Sequence, residues 1–391
     1  MKMDSVNKLI PMLDLKVEYE YMKDDIDKAI QRCLDHQQWI LGPEVKELED
    51  RVAEYIGAKH CIGVSSGTEA LVLSLRALAI KLKGKEYFDR TDEIITTPFT
   101  FTATGDAILR AGATPVFVDI DPHTFNIDPE GVRLALKDER PDGRIVGMIP
   151  VHLYGQPCDM DEIAEISNKK GLFMVEDVAQ AFGANWKEQK LGSIGVAGAF
   201  SFFPSKNLGG FGDGGMISTN DDEIAAMVRM LTKHGGKDKY NVEHIGYNAR
   251  MDTLQAAILL AKLKHIDDFN KRRRQIAELY TAGLSGIYSL QLPVYHDAYE
   301  LPIGHVYHQY TVRTNKRDDL QAFLKDRGVS SMVYYPVPLH KMKVFGGRSR
   351  ITGNLINSEQ AAKEVLSLPI EPLLPEDHIE YVVNRIKEFP G

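Results

Sequence analysis

From residue 60 to about residue 220, short runs of β-branched and apolar residues alternate with stretches whose apolar positions return every three or four residues. That rhythm predicts an α/β fold with a mostly parallel sheet. Cys61 to Val64 reads as a strand, and Ala70, Leu71, Leu75 and Leu78 give the helix that starts at Thr68 one apolar face. Glu93 to Thr97 predicts a second strand, Thr102 to Ala111 a helix, and Thr114 to Asp119 a strand closed by the Asp121-Pro122 turn. Arg144 to Val151 and Leu172 to Val175 are short and flanked by Gly or Pro, which favours buried strands over helices. Ala197 to Phe203 and Met216 to Ser218 complete a set of about seven strands.

Beyond Asn248 the period changes. Leu254, Ala257, Ile258, Ala261, Ile266, Phe269, Ile276, Leu279 and Tyr280 predict a long, bent connecting helix. The run Lys271-Arg272-Arg273-Arg274 lies on it and reads as a solvated face. Residues 268–391 carry the Pro-rich stretches Tyr335-Pro336-Val337-Pro338 and Leu368-Pro369-Ile370 and a strand candidate at Tyr307 to Arg313. The pattern divides the chain into a large α/β domain, residues 1–267, and a smaller α+β domain, residues 268–391.

Composition narrows the function classes. With 391 residues, 43% hydrophobic and 26% charged, the chain can bury a large core, so disordered, collagen-like and coiled-coil readings are excluded. A net charge of −8 offers no general attraction to nucleic acid or anionic lipid, so any phosphate must be held by a local arrangement. Cys33, Cys61 and Cys158 are odd in number and far apart, which fits buried thiols in a reducing compartment and neither disulfides nor a metal site. Asp4, Asp14 and Pro11 interrupt the N-terminal apolar stretch, and no window reaches the roughly 18 apolar residues of a membrane span. A soluble, cytoplasmic protein is expected.

Three segments carry chemistry. At Val64-Ser65-Ser66-Gly67-Thr68-Glu69 a strand ends and a helix begins, with Ser66 and Glu69 in capping-box register. The free N–H groups there suit a phosphate, and an ordinary capped helix would look the same. Asp177 closes the run Leu172 to Val175 at the carboxyl end of a strand, where open parallel sheets bind ligands. Buried there it needs a cation, such as a protonated pyridine nitrogen; a plain helix cap is the alternative. The aromatic strand Phe200-Ser201-Phe202-Phe203 delivers Lys206 into a glycine-rich turn, Leu208-Gly209-Gly210, where desolvation lowers an amine's pKa and makes it nucleophilic. In this order the parts match a pyridoxal-phosphate site.

These motifs, with Ile40-Leu41-Gly42-Pro43-Glu44-Val45, Glu176-Asp177-Val178-Ala179-Gln180, Gly246-Tyr247-Asn248-Ala249-Arg250-Met251-Asp252 and Tyr335-Pro336-Val337-Pro338-Leu339-His340, run in order along nearly the whole chain. The sequence resembles the fold-type-I, pyridoxal-phosphate-dependent sugar aminotransferases of the DegT/DnrJ/StrS family. The resemblance implies that Lys206 links covalently to the cofactor, which cycles through pyridoxamine phosphate. It implies that Asp177 pairs with the pyridinium nitrogen, Gln180 bonds near the phenolic oxygen and Phe101 stacks on the ring. Gly67, Thr68 and Ser201 would hold the phosphate, with Asn248 supplied by the second copy of a homodimer. Relatives that run dehydratase chemistry replace the lysine by His, so Lys206 points to transamination.

The segments around Lys206 and Asp252 look most like enzymes that use L-glutamate to aminate the C3 ketone of sugars derived from UDP-N-acetylglucosamine, for lipopolysaccharide. Arg250, Tyr334 and Tyr335 would contact the sugar or pyrophosphate, and each also reads as an ion pair or as domain packing. Relatives acting on uronic acids often carry His-Tyr-Pro where this chain has Tyr334-Tyr335-Pro336, which favours an uncharged sugar. A C4 aminotransferase of a dTDP-, UDP- or GDP-linked 4-keto-6-deoxy sugar, an inositol-type acceptor and a non-catalytic regulator on the same fold are the alternatives. Lys81 to Arg90 is longer than the usual connection and reads as a surface-loop insertion. His152, Tyr154 and His308 read equally as site residues and as packed polar groups.

Overall fold

The computed structural model describes residues 9–138, 140–238, 240–293 and 304–390. Helix α1 (Leu15–His36) and α2 (Pro43–Ile56) lead into β1 (His60–Val64), α3 (Gly67–Lys83), β2 (Asp92–Thr96), α4 (Thr102–Arg110) and β3 (Thr114–Phe117). Then follow α5 (Pro129–Lys137), β4 (Arg144–Met148), α6 (Met160–Lys170), β5 (Phe173–Asp177), the short hairpin β6 (Asn185–Trp186) and β7 (Gln189–Lys190), β8 (Ala197–Ser201) and β9 (Gly215–Thr219). The remainder is α7 (Asp222–Leu231), α8 (Thr253–Leu263), α9 (Ile266–Leu284), β10 (Tyr310–Arg313), α10 (Arg317–Lys325), β11 (Arg350–Ile351), α11 (Ile356–Glu364), β12 (Val365–Leu368) and α12 (Glu376–Lys387).

The main sheet has the order β1-β9-β8-β5-β4-β2-β3-β11. All neighbours run parallel except β9, which is antiparallel to both β1 and β8. Both faces are covered, as a parallel sheet requires: Ile94 packs into one core with Leu71, Leu75 and Ile217, and its neighbour Ile95 into another with Leu48, Val52 and Val116. Helix α3 is buried from Ala70 to Ala79 because its sequence is apolar nearly all round.

Seven of the eight strands lie where the apolar runs place them. The eighth, β11, comes from far down the chain and pairs parallel with β3, Arg350 opposite Val116 and Ile351 opposite Phe117. Two residues, one of them charged, carry no periodicity; Arg350 is held by Glu93 (2.9 Å), a carboxylate buried on β2. The long helix expected after Asn248 is two helices, broken at Lys264-His265.

The basic run on α9 is not one solvated face. Arg273 is buried and donates from Nη1 to the carbonyls of Ile370 (2.8 Å) and Tyr307 (3.3 Å), and burial lowers its pKa to about 10. Successive helical residues point about 100° apart, so four in a row cannot share a face. Arg273 stands one turn before Ile276 and Ala277, on the side that enters the core.

A third core gathers α9, β10, β12 and α12 and includes Ile10, whose backbone bridges to Val329 (Ile10 N to Gly328 O, 2.8 Å). The N-terminal segment therefore packs with C-terminal elements, and the expected domain boundary after residue 267 falls inside α9. All three cysteines are free and buried. No described helix is long and apolar enough to cross a membrane.

Candidate active site

The carboxyl ends of β1, β2, β5 and β8 open onto one cavity of about 500 Å3. Gly67, Thr68, Phe101, Asp177, Gln180, Ser201, Lys206, Tyr334 and Tyr335 all line it. Residues dispersed over some 270 positions are thus brought together by a sheet whose loops share one edge. The volume lies within the roughly 300 to 1,000 Å3 of small-molecule sites.

The phosphate-type corner is built first from backbone. Ser66 caps α3, its Oγ accepting from Glu69 N at 3.1 Å. The reciprocal half of the capping box is not made, because the Glu69 carboxylate turns to Arg110 (2.6 Å). The first N–H groups of α3 have no intrahelical acceptor and face the cavity rim with the positive end of the helix dipole. A side chain at Gly67 would clash, its Cβ falling 2.7 Å from Ser201 Cβ, so glycine is what brings the Ser201 hydroxyl against the helix start. Backbone donors and two hydroxyls, from Thr68 and Ser201, make a cradle of the right chemistry for a phosphate.

Asp177 ends β5 and is 5% exposed. Burial raises its pKa, opposed by hydrogen bonds from Thr104 Oγ1 (2.8 Å) and Ala179 N (3.2 Å) and by the charge of Lys206. A carboxylate placed so deep calls for a cationic partner in the cavity, and a protonated pyridine nitrogen supplies one. The adjacent Glu176 points to the opposite side of the strand and accepts from the backbone N–H groups of Gly192 (2.8 Å), Ile194 (2.9 Å) and Gly195 (2.7 Å).

Lys206 follows β8 in a turn closed by Lys206 N to Phe203 O (2.8 Å) and Gly210 N to Phe202 O (2.8 Å). A Cβ at Gly209 would sit 2.4 Å from the Pro204 carbonyl oxygen, so the turn admits no larger residue. Desolvation lowers the Lys206 pKa to about 8 against the pull of Asp177. The next residue pins the turn: Asn207 Nδ2 donates to Asn270 Oδ1 (2.8 Å) and to Val306 O (3.0 Å). With both protons spent, Asn207 Oδ1 is the acceptor that faces His308 Nδ1 at 3.2 Å, which puts the imidazole proton on Nδ1 and leaves Nε2 as a lone pair. His308 lines the cavity, and burial and the nearby cations push its pKa well below 6.5, so it stays neutral.

Gln180 Oε1 accepts from Tyr154 N (2.8 Å) and its Nε2 donates to Tyr335 Oη (2.9 Å), leaving one amide proton for a ligand. Phe101 caps α4 at the cavity wall, 55% exposed, with the Tyr335 ring 6.1 Å away. Tyr154 Oη bonds the Tyr334 carbonyl. His152 is fully buried and takes no part in the cavity lining: its Nδ1 accepts from Cys158 N (3.1 Å) and its Nε2 faces Glu176 (3.4 Å).

Asn248 and Arg250 do not line this cavity. Asn248 is exposed, Arg250 bonds to its side chain, and the backbone of Arg250 bridges to Val64. Sequence reasoning missed Thr104, which orients Asp177, and Asn207, which orients both the lysine turn and His308. Neither carries a local signal, since a Thr inside a helix start and an Asn beside a Lys are unremarkable until the fold sets their partners.

Among the described residues Cys33, His36 and Glu44 form the one group whose ligand atoms lie within 4.8 Å of each other. The His36 ring argues against a metal there. Gln38 N donates to Nδ1 (3.0 Å), so Nε2 carries the proton and points it at the Glu44 carboxylate (3.2 Å to each oxygen), leaving no lone pair for an ion.

Comparison with known proteins agrees with this geometry. Residues 20–387 match the DegT/DnrJ/EryC1/StrS aminotransferase family. A pleiotropic regulatory protein of Geobacillus stearothermophilus is 46% identical, covering 97% of this chain and 98% of the relative. The UDP-2-acetamido-2-deoxy-3-oxo-D-glucuronate aminotransferase of Pseudomonas aeruginosa is 41% identical over 96% and 98% of the two chains. The crystal structure of S. venezuelae DesV in complex with a ketimine intermediate superimposes with a TM-score of 0.89 at 40% identity, over 97% of this chain and 98% of that one. The chain belongs to the DegT/DnrJ/EryC1/StrS aminotransferase family and is a pyridoxal-phosphate-dependent aminotransferase.

Proposed function

We propose that the protein moves the amino group of L-glutamate to the C3 ketone of a UDP-linked sugar derived from N-acetylglucosamine, for lipopolysaccharide synthesis, as a homodimer whose sites are shared. The observation that carries the reading is the pairing of a lysine of lowered pKa with a buried aspartate at the ends of the adjacent strands β5 and β8. The preference for C3 and UDP rests on the likeness to the Pseudomonas aminotransferase, whose name states a 3-oxo UDP-sugar. Exposure of Asn248, with the half-buried Arg250 bonded to it, outside their own cavity fits their delivery to a second copy.

Overall, the glutamate α-carbon loses its amino group and hydrogen and takes an oxygen from water to become 2-oxoglutarate, while the acceptor carbon gains an amino group and a hydrogen and its ketone oxygen leaves as water, so the two waters cancel. When bound, pyridoxal phosphate supplies a ring that delocalises negative charge from the carbon losing its proton. Asp177 keeps the ring nitrogen protonated, which is the condition for that delocalisation. The α3 N-terminus, Thr68 and Ser201 would hold the phosphate, and Phe101 would lie against the ring. The Lys206 amine would remove the proton from the donor carbon and return one to the acceptor carbon, work that suits an amine with a pKa near 8. Gln180 and the neutral His308 Nε2 present one donor and one acceptor to the reacting groups.

Turnover of UDP-, dTDP- and GDP-linked 3-keto and 4-keto sugars with glutamate tests the assignment. Highest kcat/KM on a 3-keto UDP-sugar supports it; preference for any 4-keto substrate overturns the C3 reading. A regulator is the second reading, because the Geobacillus relative carries a regulatory name. Retention of both Lys206 and Asp177 in a formed cavity speaks against it.

A further inference from the structure

The segment expected to be a surface-loop insertion is built into the molecule. Lys81 to Lys83 are the last turn of α3, and of the rest Phe88 is buried, with its N–H on Ala111 O (3.0 Å). Glu86 and Tyr87 close over Arg76, a guanidinium with no exposed surface. The Arg76 group lies 3.8 Å over the Tyr87 ring and donates from Nε to Glu86 O, from Nη2 to Glu86 Oε2 (2.8 Å) and Ile245 O (3.0 Å), and from Nη1 to Tyr247 Oη (2.7 Å). Glu86 reaches further: Oε1 accepts from His244 Nδ1 (2.8 Å) and Oε2 from Ile245 N (3.2 Å). One carboxylate and one guanidinium thus grip three residues, His244, Ile245 and Tyr247, immediately before Asn248.

From Tyr247 onward the chain is fixed by backbone, Tyr247 N to Leu231 O (2.8 Å), Ala249 N to Thr232 O (3.2 Å) and Ser65 N to Ala249 O (3.0 Å). Asn248 and Arg250, one and three residues on, are therefore held at a set height above the strand that starts the phosphate cradle. A buried arginine with two hydrogen bonds on Glu86 and two on Ile245 and Tyr247 is a costly device if these segments serve only as surface, since an imperfectly satisfied buried charge destabilises strongly.

We propose that Gly84 to Arg90 is a brace that presents Asn248 and Arg250 to the cavity of a second copy, with Glu86 as its positioning residue. The inference rests on the shared-site reading above. Misplacement by about 1 Å of groups that hold cofactor and acceptor can cost up to about 100-fold. Glu86→Ala is expected to raise the pyridoxal phosphate Kd and the acceptor KM about tenfold while kcat at saturation stays within about twofold. Tyr247→Phe, which removes one Arg76 partner and keeps the fold, should shift both in the same direction by less.

The experiment is made on differently tagged, co-expressed pairs. In a hybrid of Glu86→Ala with Lys206→Ala, the chain that keeps Lys206 receives Asn248 from a partner whose Glu86 is intact. Its Kd and KM should return to the wild-type values. Unchanged Kd and KM in the Glu86→Ala homodimer, with Tyr247→Phe also silent, overturn the brace, and so does a hybrid that retains the weakened values. A control separates the two readings: Lys206→Ala with Asn248→Ala should recover turnover in the hybrid. If it does not, sites are not shared, and the brace falls with that reading.

Discussion

A lysine with a pKa near 8 should bind its cofactor covalently at a pH where an ordinary lysine is inert. Only the neutral amine attacks a carbonyl, so the rate of covalent attachment follows the deprotonated fraction. At pH 7 a pKa of about 8 leaves roughly 9% of Lys206 neutral, whereas the ordinary 10.5 leaves about 0.03%, a difference of roughly 300-fold. The cause is desolvation in the cavity, opposed by Asp177. Apo-enzyme mixed with saturating pyridoxal phosphate over pH 6 to 10 should show an attachment rate, read by absorbance, that rises tenfold per unit at low pH and levels off above about 8. His308 should add no inflection in that range, because it stays neutral. Replacing Asp177 by Asn removes the group that favours the charged amine and should move the midpoint downward. A midpoint near 10.5 in the wild type, or no shift in Asp177→Asn, would refute the reasoning.

Thr104→Ala removes the 2.8 Å donor from Asp177, a hydrogen bond to a charged group worth about 1.5 to 3 kcal/mol, so kcat/KM should fall roughly 10- to 100-fold with the cofactor still bound; an unchanged value would show that Asp177 is oriented by other contacts. Arg273→Ala strands the Ile370 and Tyr307 carbonyls and empties a buried site, and chemical denaturation should register a loss of about 3 kcal/mol or more. Glu371 has a pKa raised to about 7, chiefly by burial, with Arg273 opposing and Asp14 and Glu18 adding to the rise. The folded state therefore holds the proton more tightly than the unfolded one, so stability should decline as pH climbs from about 4.5 to about 7, by up to about 3 kcal/mol, and Glu371→Gln should flatten that slope.

The parts of this protein written in local pattern were legible in its sequence. Seven buried strands announce themselves as apolar runs, and Gly67, Asp177 and Lys206 stand at strand ends where a parallel sheet collects its ligands. What local pattern cannot show is a partner chosen by packing. Thr104 is a minor residue of α4 until that helix settles beside β5, and Asn207 acquires two carbonyl-type acceptors only when α9 and residue 306 arrive. β11 is too short to have a period, and Arg273 was hidden in a run of like charges whose members face different ways. The segment Gly84 to Arg90 reads as surface in the sequence because its partners are remote along the chain: Arg76 lies ten residues before Glu86 inside an apolar helix, and Ala111, His244 and Ile245 lie far beyond it.

The half-reaction with glutamate tests the central claim most directly. Holoenzyme mixed with L-glutamate and no acceptor should convert the cofactor's absorbance from its pyridoxal to its pyridoxamine form and release one 2-oxoglutarate per Lys206, and Lys206→Ala should do neither. A holoenzyme whose spectrum is unmoved by glutamate and by other amino donors, with no keto acid released, would contradict a transaminase built around Lys206.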